Sequence, residues 1–203
     1  MGSTTLTSSY NAISRRTLLS CTGAVGALAL MGAPALRAQA RERGITGQLA
    51  PPLQLDWWID ANGKSTQFEV SEAKGKWLYL KFWQSWCPGC HKHGLPALKT
   101  FVDTFKDEPR VMAAGVQTVF EGFSFNSRTK VRKTQLEYGL PIAMGHDAGY
   151  PDGQHLPRTM VNYRSGGTPW VVIVNPSGRV MYDGFHINVE KLTSFIKDDL
   201  KRA

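Results

Sequence analysis

Trp77-Leu-Tyr-Leu-Lys-Phe-Trp83 runs directly into Gln84-Ser-Trp-Cys-Pro-Gly-Cys90, and the fold turns on that junction. The first seven residues read as a buried strand, apolar but for Lys81. From Cys87 to Lys106 the pattern is helical, with Leu95, Leu98, Phe101, Val102 and Phe105 recurring at spacings of three and four. A strand that ends in Cys-x-x-Cys and continues as a helix puts two thiols at a helix N-terminus. There the peptide dipoles and free N–H groups favour a thiolate, which is the attacking species in disulfide exchange. The two-residue spacing lets the sulfurs come within bonding range across the first turn. Pro88, inside that turn, forfeits no intrahelical hydrogen bond. Pro96, further along, predicts a kink.

Working outward, residues 41–52 are polar and Gly/Pro-bearing and read as a flexible lead-in. Leu53–Ile59 and Ser65–Val70 read as a hairpin turning at Asn62-Gly63. A short helical turn is expected over Ser71–Ala73. Val111–Thr118 is a second buried strand, and Ser127–Tyr138 a helix stopped by Gly139 and Pro141. Ile142–Met144 reads as a short third strand. The Gly-, Pro- and His-rich stretch from Gly145 to Gly166 reads as loop with one short helix. Trp170–Val174 and Arg179–Tyr182 form a hairpin around Asn175-Pro-Ser-Gly178. Val189–Lys201 closes the chain as an amphipathic helix with Leu192, Phe195, Ile196 and Leu200 on one face. A βαβ unit followed by a hairpin and a helix makes an α/β sandwich.

Residues 1–40 read as a targeting segment outside the fold. Ser14-Arg15-Arg16-Thr17-Leu18-Leu19, an uncharged stretch from Thr22 to Ala35, and Ala38-Gln39-Ala40 together resemble a twin-arginine export signal with its cleavage site. The apolar run falls short of the roughly 20 residues of a membrane span, though an uncleaved segment would act as an anchor. Cys21 sits in a lipoprotein-like box but precedes the apolar run. Cleavage leaves Cys87 and Cys90 as the only cysteines, too few and too close to staple an exported scaffold. The net charge of +8 drops to +5 as Arg15, Arg16 and Arg37 leave. The remaining basic residues form no block with interleaved aromatics, which argues against nucleic-acid binding.

Trp86-Cys-Pro-Gly-Cys90 at a strand-to-helix junction, Gly166-Gly-Thr-Pro169 before an apolar strand, and the Asn175-Pro-Ser-Gly-Arg179 turn together resemble the thioredoxin fold. They are most similar to its exported TlpA-like thiol-disulfide oxidoreductases, over about Leu53 to Ile196. The resemblance implies a thioredoxin-like three-layer sandwich in residues 53–203, with an N-terminal β-hairpin extension and an insertion before the cis-proline hairpin. It implies Cys87 as nucleophile and Cys90 as resolving thiol, with no cofactor beyond their redox-active disulfide and no metal. It further implies a cis bond at Thr168-Pro169. Trp86, Pro88, Gly89, Thr168 and Pro169 would face a substrate.

The implied activity is periplasmic reduction or exchange of disulfides in cysteine-containing proteins. The partner would be a thiol-disulfide electron donor or acceptor, a membrane protein being one option. The chain departs from the pattern in its proton carrier. TlpA-like members place Glu three residues after the second cysteine, where this chain has His93. Thioredoxin places an acid six residues before the first cysteine, where this chain has Lys81. His91, His93 and Lys81 are the candidates for that role.

Two other chemistries use the same residues. Cys87-Pro-Gly-Cys90-His91 is a Cys-x-x-Cys-His string, as in c-type haem attachment, with Met112, Met144 or Met160 available as a second ligand. Cys87, Cys90 and His91 or His93, with a distant His146 or His155, would suit copper(I) or zinc, as in a copper chaperone. A peroxiredoxin-type peroxidase would carry a Pro-x-x-x-Thr-x-x-Cys string, which the chain lacks.

Overall fold

The computed structural model describes residues 43–150 and 155–202; the export signal read over 1–40 lies outside them. The seven strands are β1 (Trp58–Ile59), β2 (Ser65–Thr66), β3 (Trp77–Trp83), β4 (Val111–Val119), β5 (Ala143–Ala148), β6 (Trp170–Val174) and β7 (Val180–Gly184). They form a single sheet in the order β2-β1-β5-β4-β3-β6-β7. β3, β4 and β5 run parallel, and the other pairings are antiparallel. The helices are α1 (Leu95–Thr104), α2 (Arg128–Glu137), α3 (Arg158–Asn162) and α4 (Val189–Arg202).

β3 is buried along its whole length because both faces of the sheet are covered. Trp77, Tyr79 and Trp83 point into a core built with Leu98, Phe101 and Val102 of α1, Val131 of α2 and Ile196 of α4. Leu78, Leu80 and Phe82 point the other way, against Leu53, Leu55, Phe68 and Tyr163. Three helices therefore layer one face. Extended chain, a 3-10 turn over Val70–Ala73 and the end of α3 layer the other.

Several elements differ from their sequence readings. The first hairpin pairs over only two residues per strand, because Leu53 and Leu55 are spent filling the core rather than pairing. β5 extends to Ala148 through Gly145, His146 and Asp147, which have the composition of a loop. Its register beside β4 is complete from Ala143 to Ala148. Pro96 does not kink a long helix; it sits in the first turn of α1, behind a wide π-helical turn over Cys90–Gly94. Its missing N–H costs nothing there. The α4 face differs too: Val189, Thr193 and Ile196 are buried, while Phe195 is half exposed and packs edge-on to Trp77 at 5.8 Å. Finally, the lead-in is held in place from Arg43 onward. Gly47 N donates to Val180 O (2.8 Å), Val180 N to Gln48 O (2.9 Å) and Ala50 N to Gly178 O (2.9 Å).

Candidate active site

Cys87 and Cys90 sit where β3 gives way to the helical layer. Cys87 N donates to Gln84 O at 3.3 Å, and the Cys90 and His91 amides donate back to Cys87 O at 3.1 and 3.3 Å. The chain therefore turns into the helix at the first cysteine. Both cysteines are free and buried. Cys90 S–H donates to Cys87 Sγ at 2.7 Å, and the Cys90 amide donates to the same sulfur at 3.3 Å. When Cys87 carries its own proton it donates to Thr168 O at 3.5 Å.

These contacts divide the pair. The hydrogen bond from Cys90, reinforced by its amide, by Thr168 and by the Gly89 amide, lowers the Cys87 pKa to about 6 against the pull of burial. Burial raises the Cys90 thiol above its ordinary value, and the proton it lends to Cys87 raises it further. A thiolate at neutral pH therefore belongs to Cys87.

The Thr168–Pro169 bond is cis. Pro169 is buried against the redox turn, its Cδ 3.3 Å from where a Cβ on Gly89 would lie. Pro88 is exposed, Gly89 and Thr168 are half-buried, and Trp86 is 42% exposed beside Cys87. These residues, expected at a substrate face, are brought together around Cys87.

Sequence reading missed what holds the rim in place. Gln84, fully buried, accepts from Trp86 Nε1 (3.2 Å) and Asn126 Nδ2 (3.3 Å) and donates to Thr168 Oγ1 (3.4 Å). Asn126 accepts from Ser85 N (2.8 Å) and donates to Glu121 O and Gly122 O. Gly122 has φ +60°, and a Cβ there would come within 2.6 Å of Trp86 Nε1, so glycine is required twice over. Gln84 follows an unbroken buried strand, which hinted that its amide needs partners. Nothing local marks Asn126.

The candidate proton carriers are placed very differently. His91 Nε2 donates to Ser85 O and its Nδ1 hydrogen-bonds with Tyr138 OH, both at 2.9 Å. The ring ties the redox loop to the end of α2, with neither nitrogen turned to Cys90. This placement also disfavours the haem reading, since iron would have to displace one of those bonds. His93 is exposed and meets His186 edge-on at 6.1 Å. Lys81 is buried on the helix-facing side of β3. His146 bonds to Gln117 Oε1 at 2.7 Å and, with His155, lines a separate polar cavity of about 580 Å³. Among the described residues no three His, Cys, Asp or Glu side chains are grouped to hold a metal ion.

The chain is 28% identical over 137 residues to the thiol-disulfide oxidoreductase ResA of Bacillus subtilis, an alignment covering 66% of this chain and 64% of that protein. It therefore spans slightly less than two thirds of that relative. A solved thioredoxin-like superfamily protein superposes with TM-score 0.62 at 28% identity, covering 73% of this chain and 92% of the other. A thiol-disulfide isomerase from Corynebacterium glutamicum gives 0.60 at 26% identity, covering 73% and 95%. The fold is thus thioredoxin-like, as the strand order and the redox turn indicate. Residues 46–183, from the strapped lead-in to β7, match the AhpC/TSA family, and the chain belongs to it.

Proposed function

We propose that this protein is a thiol-disulfide oxidoreductase that acts on disulfides in cysteine-containing proteins after export. The observation that carries the reading is the 2.7 Å contact between two unequal sulfurs at the start of the redox turn. The Cys87 thiolate attacks one substrate sulfur, forming a mixed disulfide and expelling the other as a thiolate. Cys90, once deprotonated, attacks Cys87 Sγ and releases the second substrate thiolate. The enzyme gains a Cys87–Cys90 disulfide and the substrate gains two electrons. The sulfurs need only close to about 2.05 Å.

Trp86, Pro88, Gly89, Thr168 and Pro169 form the surface over which the substrate segment lies, with the Thr168 backbone open to strand-like pairing. No cofactor beyond the disulfide enters. A second thiol-disulfide protein restores the dithiol. Export rests on the twin-arginine pattern of residues 14–40; among the described residues no helix is long and apolar enough to cross a membrane.

The test is equilibration of the mature protein in graded thiol/disulfide buffers, with free Cys87 and Cys90 counted by alkylation and mass. A reversible two-electron transition is expected. A midpoint near about −270 mV would mark a reductant, and one near about −120 mV an oxidant. Cysteines that fail to interconvert overturn the reading.

A further inference from the structure

The face of β3 turned toward the redox helix carries one charged side chain. Lys81, 2% exposed, lies between Tyr79 and Trp83 in a layer otherwise apolar. Its head is pressed against the turn that bears the cysteines. A Cβ built on Gly94 would lie 2.7 Å from Lys81 Cε and 3.0 Å from both Lys81 Nζ and Pro169 Cβ. Gly94 follows Cys90 by four residues and so shares its side of the helix. The absent side chain at Gly94 makes the space that the lysine occupies.

No carboxylate among the described residues pairs with this lysine. The charges that act on it are those of Cys90 and Cys87. Its register neighbours, Gly115 on β4 and Val171 on β6, bring no titratable group, and neither does Pro169. Burying an unpaired ammonium is far more costly than burying a methionine of similar length, so the amine is poorly explained as filler. Burial holds its pKa down to about 8, and a thiolate on Cys90 or Cys87 works against that lowering.

The resolving step needs a base. Cys90 must lose a proton that burial makes hard to remove, and both histidines of the redox turn are engaged or turned outward. We infer that Lys81 accepts the proton of Cys90 when the mixed disulfide is resolved. The inference rests on the disulfide-exchange reading above. The neutral amine takes the proton from Cys90 S–H, through one water or once the side chains close to contact, and the thiolate attacks Cys87 Sγ. The bond from Cys87 Sγ to the substrate sulfur breaks, and its electron pair leaves with that sulfur. The resulting ammonium returns its proton to the leaving thiolate or to water.

The experiment uses reduced full-length protein and excess dithiobis(nitrobenzoic acid), which releases one coloured thiolate per exchange. Attack by Cys87 gives a first release whose rate scales with reagent. Resolution by Cys90 gives a second, independent of reagent concentration. In the wild type the second phase should rise with pH and level above about pH 8. In Lys81→Met it should be at least about tenfold slower at pH 7 and should climb with pH without levelling. A Lys81→Met protein with the wild-type profile overturns the inference while leaving the exchange chemistry intact. A wild type that shows no first phase overturns the exchange reading itself. If Lys81→Met does not fold, the wild type decides alone: a second phase still climbing above about pH 9 refutes the inference.

Discussion

The two sulfurs are chemically alike and physically opposite. Cys87 is stabilised as an anion by donors around it, and the first of these is Cys90 itself. Alkylation of Cys87 in the reduced protein should therefore show a midpoint near pH 6, read by peptide mass. In Cys90→Ala the midpoint should move upward, because the 2.7 Å donor is gone. An unchanged midpoint would mean that the helix terminus alone sets the thiolate. Cys90→Ser should also accumulate a mixed disulfide with a disulfide-bearing protein substrate on a non-reducing gel, and Cys87→Ser should not. The Cys-x-x-Cys pair was legible in the sequence because its spacing is itself the chemistry. The role of His91 was not: its neighbours in sequence say nothing of Ser85 O or Tyr138 OH, which fix both ring nitrogens.

Among the elements, the loop over residues 121–126 does more for the site than its sequence announces. Asn126 satisfies the Ser85 amide and two carbonyls of its own loop from a buried position. Asn126→Ala leaves those groups unpaired and should cost about 1–3 kcal/mol of stability in urea unfolding. It should also raise KM for a peptide disulfide, because Trp86 and Thr168 are positioned through the same amides. His93→Ala, on the open side of the turn, should alter neither. β3 and β6 were readable because their apolar runs meet burial on both faces, and α4 was readable as a helix though not in its buried stripe. The start of β5 was readable at Ile142–Met144, but its continuation was not, since Gly145 is there for the approach of Leu55 and Trp58, at 2.8 and 2.9 Å from its missing Cβ. A residue chosen for packing across the sheet looks in sequence like a residue chosen for a turn.

For the molecule as a whole, the titration of Cys87 enters the folding equilibrium. Its folded pKa lies below its unfolded value. Its contribution is therefore complete above about pH 9 and is lost as pH falls toward about 6. The melting temperature of the reduced protein should rise between pH 6 and 8 by more than that of Cys87→Ser. The disulfide form, with no thiol to ionise, should lack the same increment; differential calorimetry of the three samples checks the sign. The lead-in acts at this scale as well. β2, at one end of the sheet, is two residues long and offers little to pair with. β7, at the other end, is five residues long, and residues 47–50 pair with Gly178, Arg179 and Val180 at its start. That strap occupies the Val180 amide and carbonyl and the Gly178 carbonyl, groups of the kind that pair with another strand when an edge is left open. A stretch that reads in sequence as a flexible tether thus closes the first rungs of a sheet edge.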